Sequence, residues 1–240
     1  MTYISEKIYQ DMITFRPADF NYELFSGFMN YPPGKAIPAT IKSVLDEKLL
    51  PDIGHAPVSY QYRILPIAAR HARLNDIIVK NTYHLNGNLV YRLLRGSTHV
   101  IAHLISTPGE TVNDIAEIYI YYAYYNTLLQ MSADHLRKVL IQRCEIPEIQ
   151  LTRRYAPGYC GWPIHDQNVL LKLLEPAAIG VRFTESMMLE PAHSTSGIFG
   201  LRQQPRIGGN MPCYNCTSLT CKVHDDFNKE LRLIEGVQKF

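Results

Sequence analysis

Apolar side chains recur with helical spacing in the middle of the chain. Thr111 and Asp114 fit a capping-box pattern that opens a helix. The residues that then repeat at the 3.6-residue period are Ile115, Ile118, Tyr119, Tyr122 and Tyr125. A second periodic stretch runs from about Asn126 to Arg143. The pattern predicts two consecutive helices, and we interpret the tyrosines as an amphipathic packing face rather than a ligand-stacking site.

Short apolar runs with β-branched residues predict strands on both sides of these helices. The predicted strands are Tyr60 to Ile67, Ile77 to Val79, Tyr83 to Leu85, His99 to Ser106, Gly180 to Thr184 and Glu185 to Leu189. Shorter helices are predicted at Ala39 to Leu49, Leu89 to Leu94 and Asp166 to Leu174. Because strands and helices do not alternate regularly, the predicted class is α+β, with a twisted, mainly antiparallel sheet flanked by helices.

Composition and charge narrow the functional classes. Hydrophobic residues make up 46% of the 240 residues, which is enough for a real core, and the net charge is only +2. A near-neutral chain argues against a nucleic-acid-binding protein. We expect no membrane span, no signal peptide and a cytoplasmic location. Residues 1–60 are expected to form an N-terminal extension packed on a domain that comprises residues 61–240.

The segment from Arg154 to Tyr159 combines unusual backbone and side-chain requirements. Pro157 lacks an N–H group, Gly158 permits positive φ, and Arg154 offers a planar fork of donors that suits a carboxylate. Such a loop can hold a carboxylate and an adenosine-like group, although an arginine in a surface salt bridge is the other interpretation. The chain has no Gly-rich dinucleotide or phosphate-loop motif.

The chain resembles the activation (reactivation) domain of cobalamin-dependent methionine synthase. The Arg-x-x-x-Gly-Tyr signature of that family corresponds to residues 154–159, and its Thr-Glu-Ser block with a following Ser-Gly corresponds to residues 184–197. The family's short intervening helix corresponds to Asp166 to Leu174. The resemblance covers about 50 residues well, and it implies the activation-domain fold for residues 61–240.

The resemblance implies a module that binds S-adenosylmethionine and supports the reductive methylation of a cobalamin. Arg154 would bind the methionine carboxylate, and the backbone around Tyr155, Ala156 and Gly158 would contact the adenosine. Tyr159 would lie beside the methyl group and the corrin, as the residue closest to catalysis. Glu185 and Ser186 would line the same site or support the Arg154 loop. An acidic position of the family falls at Asp134, where a solvated helix face is the other interpretation.

The resemblance also implies partners. The chain has no Asp-x-His-x-x-Gly corrinoid-ligand motif, and a cysteine follows the Gly-Tyr pair where large synthases have proline. We therefore expect a free-standing accessory subunit that acts on a corrinoid-binding protein or a methionine synthase core, with a reductase as electron donor. Two other hypotheses remain open. One is a metal-bearing interaction or electron-transfer subunit that does not use S-adenosylmethionine, and the other is a scaffold without a catalytic partner.

Five cysteines add a possible metal site. Cys213, Cys216 and Cys221 fall within nine residues, a spacing that lets three thiolates converge on zinc or on an iron–sulfur cluster. Cys160 or His224 is the candidate fourth ligand, and three reduced thiols without metal are the alternative. Cys160 is preferred because it directly follows Tyr159 and would link the motif loop to the cysteine cluster. Cys144, at the end of a predicted helix, is expected to be a buried small apolar residue.

Overall fold

The fold is described from a computed structural model, which covers residues 6–31, 34–109, 112, 114–146, 150–159 and 162–202. The strands are β1 (Ile8–Ile13), β2 (Val58–His71), β3 (Asp76–Val79), β4 (Tyr83–Asn86), β5 (Ser97–Ser106), β6 (Arg182–Phe183), β7 (Leu189–Glu190) and β8 (Ser194–Arg202). The helices are α1 (Tyr22–Phe28), α2 (Ala39–Val44), α3 (Asn88–Leu93), α4 (Ile115–Cys144) and α5 (Gln167–Lys172).

Six strands form one antiparallel sheet. Its order is β4-β3-β2-β5-β8, and β1 pairs with the first half of the long strand β2. β6 and β7 form a separate two-stranded hairpin. These observations confirm the predicted α+β class with a mainly antiparallel sheet. Within the described ranges, no helix is long and apolar enough to cross a membrane.

Both faces of the central strand β5 are buried, which explains its nearly continuous apolar sequence. Ile101 and Ile105 point into a core shared with α4, whereas Val100, Ala102 and Leu104 point into a second core shared with α3 and α5. Successive side chains of a strand alternate between its two faces, so one strand supplies both cores. The N-terminal residues join the first core. The Phe20 ring stacks on Tyr124 of α4 and also packs against Phe25.

The central helical region differs from the prediction in two respects. Of the residues predicted to form its packing face, Tyr125 is buried, whereas Ile115, Ile118, Tyr119 and Tyr122 are exposed. α4 is a single helix from Ile115 to Cys144, so the prediction of two helices meeting near Asn126 is wrong. No glycine or proline interrupts this stretch, and Asn126 donates a side-chain hydrogen bond to the Tyr122 carbonyl within the helix. Thr111, the proposed cap, lies outside the described residues. α4 ends where Glu145 adopts a positive φ of 51°, a common helix terminator.

The other predicted elements agree with the structure except between residues 180 and 189. Residues Ala39 to Leu49 are helical throughout, as α2 followed by a wider π turn at Leu45–Leu49. Glu185 to Leu189 was predicted as a strand, which is wrong for most of its length. Residues 185–187 instead form the turn between β6 and β7, in which Met187 has a φ of 63° and its N–H donates to the Thr184 carbonyl. The Thr184 and Ser186 hydroxyls bond to each other across this turn, an arrangement that favours a turn over a strand.

Candidate functional site

Arg154 is positioned by a short extended segment along the outer edge of β8. Tyr155 and Ile198 exchange two backbone hydrogen bonds, of 3.0 and 2.8 Å, and Leu151 forms a bridge with Leu201. Tyr155 points into the core of α3 and α5. Because side chains alternate along extended backbone, the neighbouring Arg154 is directed to the other face, where α4 lies.

The Arg154 guanidinium has neutral hydrogen-bond partners. Nη1 donates to Thr195 Oγ1 of β8 and Nη2 donates to Gln130 Oε1 of α4, both at 3.2 Å. Within the described part of the chain, no carboxylate lies within 4.0 Å of the guanidinium. Burial lowers the pKa of Arg154, while Tyr159 and Asp134 act in the opposite direction. A desolvated guanidinium with neutral neighbours is suited to binding an external anion.

The loop that follows Arg154 is anchored at both ends. Gly158 has a φ of 87°, a conformation that favours glycine, and its N–H donates to the Trp162 carbonyl at 2.8 Å. The Tyr155 hydroxyl donates to the Tyr159 carbonyl at 3.0 Å, and the Tyr155 ring stacks on Trp162 at 5.2 Å. The Tyr159 side chain nevertheless remains 68% exposed, so the hydrogen-bonded segment presents a tyrosine to the exterior.

Close approach of this loop to β8 depends on Gly197. A Cβ at this position would lie 2.7 Å from the Tyr155 carbonyl oxygen and 2.8 Å from His103 Nε2. His103, on β5, is fully buried beside the Phe199 ring, and neither of its ring nitrogens has a hydrogen-bond partner in the described structure. Burial, and secondarily the charge of Arg154, hold the pKa of His103 well below its usual range.

Glu185 and Ser186 lie in the exposed turn between β6 and β7. The side chain of Gln167 connects this turn to β8, because it donates to the Met187 carbonyl at 2.8 Å and accepts from the Ser196 hydroxyl at 3.3 Å. The described hydrogen bonds of Arg154 do not include either residue. Their roles in binding therefore remain predictions, as do those of Tyr155, Ala156, Gly158 and Tyr159.

A recess of about 380 Å³ lies beside Asp134, on α4. Its polar lining comes from α4 and from the segment between β1 and α1, and comprises Thr14, Asp19, Asn21, Asp134, His135 and Lys138. Burial raises the pKa of Asp134, whereas hydrogen bonds from Arg16 lower that of Asp19 to about 2. Sequence reasoning did not identify Asp19 and Asn21 as site residues, because their local signals are those of helix caps.

Aromatic rings surround the start of β8. The His193 ring stacks on Tyr125 of α4 at a centroid distance of 4.4 Å, and the Tyr122 ring lies 6.4 Å away. Burial lowers the pKa of His193. Two residues further along the strand, Thr195 accepts the hydrogen bond from Arg154. The aromatic group is therefore continuous with the surroundings of the guanidinium.

The cysteine prediction falls outside the described residues. Cys160, Cys213, Cys216 and Cys221, with His224, are not among them. In the described ranges, no group of three or more His, Cys, Asp or Glu side chains is placed to hold a metal ion. Cys144 is a free thiol that is half-buried rather than fully buried as predicted, and burial raises its pKa.

Comparison with known proteins supports the resemblance. Residues 146–207 match the family model described as the activation domain of vitamin B12 dependent methionine synthase. The fold is similar to the crystal structure of the MetH reactivation domain bound to AdoHcy, with a TM-score of 0.56 and 13% sequence identity. That match covers 87% of this chain and 84% of the other chain. The sequence has no significant match among curated proteins. The Arg154 segment is thus similar to the methionine synthase activation domain, and the chain has the fold of the MetH reactivation domain.

Proposed function

We propose that this protein binds S-adenosylmethionine and supports the reductive methylation of a cobalamin carried by a separate corrinoid protein. The observation that carries the proposal is the Arg154 guanidinium, which is desolvated, hydrogen-bonded to two neutral oxygens and free of a described carboxylate partner within ion-pair range. The family match over residues 146–207 includes this arginine and supports the same ligand.

The residues around Arg154 fit S-adenosylmethionine chemically. Arg154 would donate to the methionine carboxylate, and Asp134 would offer negative charge to the cationic part of the ligand. The backbone of Tyr155, Ala156 and Gly158 would contact the adenosine, with Glu185 and Ser186 closing the site from the β6–β7 turn.

Bound S-adenosylmethionine supplies an electrophilic methyl group, which a cobalt centre reduced by an external electron donor accepts, leaving S-adenosylhomocysteine. The contribution of this chain is positional. Arg154 fixes the carboxyl end of the ligand between α4 and β8, and the anchored loop places Tyr159 at the exposed side where the partner approaches. Holding two reactants in line can supply about 7–11 kcal/mol of the activation barrier.

Calorimetric titration with S-adenosylmethionine tests the proposal. We expect saturable binding by the wild-type protein, loss of binding in Arg154→Ala and partial recovery in Arg154→Lys, which keeps the charge but not the planar fork. Arg153→Ala is the matched control, because its exposed neighbouring side chain should leave binding unchanged. Equal affinity in wild type and Arg154→Ala would show that Arg154 is not the carboxylate ligand. No binding by the wild-type protein would refute the proposed function.

We further propose that the cysteines Cys160, Cys213, Cys216 and Cys221 form a zinc or iron–sulfur site. Three cysteines within nine residues support this, together with the position of Cys160 directly after Tyr159 in the proposed transfer loop. An iron–sulfur cluster there would offer an electron near the corrinoid, which is the alternative function of an electron-transfer subunit. Zinc would instead tie the C-terminal residues to the domain.

A further inference from the structure

The first turns of α4 carry apolar side chains on a solvent-exposed face. Tyr119 and Tyr122 are 48% and 54% exposed, Ile118 is 46% exposed and Ile115 is 86% exposed. The spacing of these four residues, i, i+3, i+4 and i+7, places them on one side of the helix. We refer to Ile115, Ile118, Tyr119 and Tyr122 as the α4 stripe.

The α4 stripe lies in a long uncharged part of the helix. From Ile118 to Ala133, sixteen consecutive residues include no Asp, Glu, Lys or Arg. The charged residue that precedes them, Glu117, is already in a salt bridge with Lys48 at 2.5 Å. Isolated exposed apolar residues are ordinary, but a contiguous set on one helix face is characteristic of an interaction surface. Few charges would have to be desolvated when this surface is covered.

The α4 stripe adjoins the Arg154 site. Tyr122 approaches the His193 ring, and His193 immediately precedes β8, whose Thr195 binds Arg154. Tyr159, which is 68% exposed, extends from the loop that begins at Arg154. A molecule bound over the surroundings of Arg154 would therefore lie beside this part of α4.

We propose that the α4 stripe is the docking surface for the corrin-bearing face of the corrinoid protein. This inference rests on the proposed function. Methyl transfer requires the reacting atoms to approach to about 3–3.5 Å, so the partner must contact the surface around Arg154 and Tyr159 directly. The stripe provides the adjoining uncharged, tyrosine-rich area, and tyrosines are enriched in the energetically dominant parts of interfaces.

The test uses Ile118→Glu, which introduces a charge into the α4 stripe, and Leu74→Glu as its matched control. Leu74 is also an exposed apolar residue, 70% exposed, and it follows the end of β2 at which Arg70 donates a hydrogen bond to the Ser97 carbonyl of β5. β8 begins beside Ser106, at the other end of β5, so the control is remote from the stripe. The probe is the cobalamin-loaded cobalamin-binding fragment of a methionine synthase that lacks its activation domain. Each variant is measured for thermal stability, S-adenosylmethionine affinity and probe affinity.

We expect Ile118→Glu to weaken probe binding about tenfold or more, with stability and S-adenosylmethionine affinity unchanged, and Leu74→Glu to bind like wild type. Equal probe affinity in Ile118→Glu and wild type would refute the docking surface alone. A wild-type protein that binds S-adenosylmethionine but not the probe would also refute the docking surface, and the ligand site would stand. A wild-type protein that binds neither S-adenosylmethionine nor the probe would refute the proposed function. Concentration-dependent dimerisation that Ile118→Glu abolishes would assign the stripe to a second copy of the chain and overturn the inference.

Discussion

The Arg154 guanidinium donates a hydrogen bond through Nη2 to the Gln130 side-chain oxygen at 3.2 Å. Gln130 lies near the middle of α4, so the segment after the helix returns to pack against the helix surface. Arg137, two turns further on, holds the same segment by donating to the carbonyls of Thr152 and Leu151. The candidate anion-binding group is thus fixed by tertiary contacts with both α4 and β8.

Adding one methyl group at Gly197 should disturb the site. In Gly197→Ala the new Cβ would overlap the carbonyl oxygen of Tyr155, in the Arg154 segment, and the ring of His103, on the buried strand β5. We expect a loss of about 1–3 kcal/mol in unfolding free energy, as for other overpacked sites, and weaker S-adenosylmethionine binding because the Arg154 segment is displaced. Chemical denaturation and calorimetry measure the two effects.

The matched control is Gly27→Ala in α1. No atom lies within 4 Å of a Cβ at Gly27, and alanine is favoured over glycine in a helix by about 1 kcal/mol. This variant should be as stable as wild type or more stable, with unchanged ligand affinity. Equal changes in stability and ligand affinity in Gly197→Ala and Gly27→Ala would contradict the close approach between β8 and the Arg154 segment.

Asp134→Asn should weaken S-adenosylmethionine binding without lowering the stability of the fold. Burial raises the pKa of Asp134, so in the pH range just above the usual pKa of aspartate the folded protein binds more protons than the unfolded chain. Stability from this group therefore falls as pH rises through that range, and the neutral asparagine should not lower the melting temperature at pH 7. It retains an oxygen for the 3.1 Å hydrogen bond from Gln130. S-adenosylmethionine affinity should nevertheless fall about tenfold or more, as expected for a lost hydrogen bond to a charged group. Unchanged affinity would remove Asp134 from the site.

His103 should make the protein less stable in mildly acidic solution. The folded state keeps this buried ring neutral, whereas the unfolded chain protonates it with a pKa near 6.5. Below that pH unfolding takes up a proton, so stability falls as pH decreases, by at most about 1.4 kcal/mol per pH unit. His103→Leu should remove this part of the dependence and be neutral or stabilising at pH 7, because neither ring nitrogen has a partner. Denaturation curves at pH 7.5 and 5.5 measure the difference, and an unchanged slope in the variant would contradict it.

Metal content should depend on the C-terminal cysteines. After anaerobic purification we expect zinc, or iron with sulfide, in the wild-type protein and none in the double variant Cys213→Ser/Cys216→Ser. Cys144→Ser is the control, since this half-buried thiol is not one of the proposed ligands and its loss should leave the metal in place. A wild-type protein without metal would show that the three clustered cysteines are free thiols.

Local patterns were sufficient to predict the main strands and helices after residue 38, but not β1, α1 or the order of strands in the sheet. Continuous apolar runs located β2 and β5, because these strands are buried on both faces or nearly so. The helical period located α4, and its second half carries the buried stripe of Leu128, Leu129, Leu136 and Leu140. The same period could not show that α4 is unbroken at Asn126. A side-chain hydrogen bond to the Tyr122 carbonyl accommodates that residue within the helix, whereas asparagine commonly indicates a break.

The candidate site was predictable only where a motif is contiguous. Arg154 and Gly158 fall within one short signature, and each has a distinct backbone or donor requirement. Asp19 lines the recess from 115 residues away along the chain, and locally it serves the turn before α1, where it pairs with Arg16. Its position opposite Asp134 results from the packing of the β1–α1 segment on α4, which no spacing rule within the sequence encodes.

Methylation of a corrinoid protein in the presence of this chain can be measured directly. The cobalamin-loaded fragment of a methionine synthase is reduced with titanium(III) citrate and supplied with S-adenosylmethionine, and methylcobalamin is followed by its visible spectrum. The account predicts that methylcobalamin accumulates faster when the wild-type protein is added, and that Arg154→Ala removes this acceleration while Arg153→Ala retains it. Accumulation at the same rate with and without the wild-type protein would contradict the account.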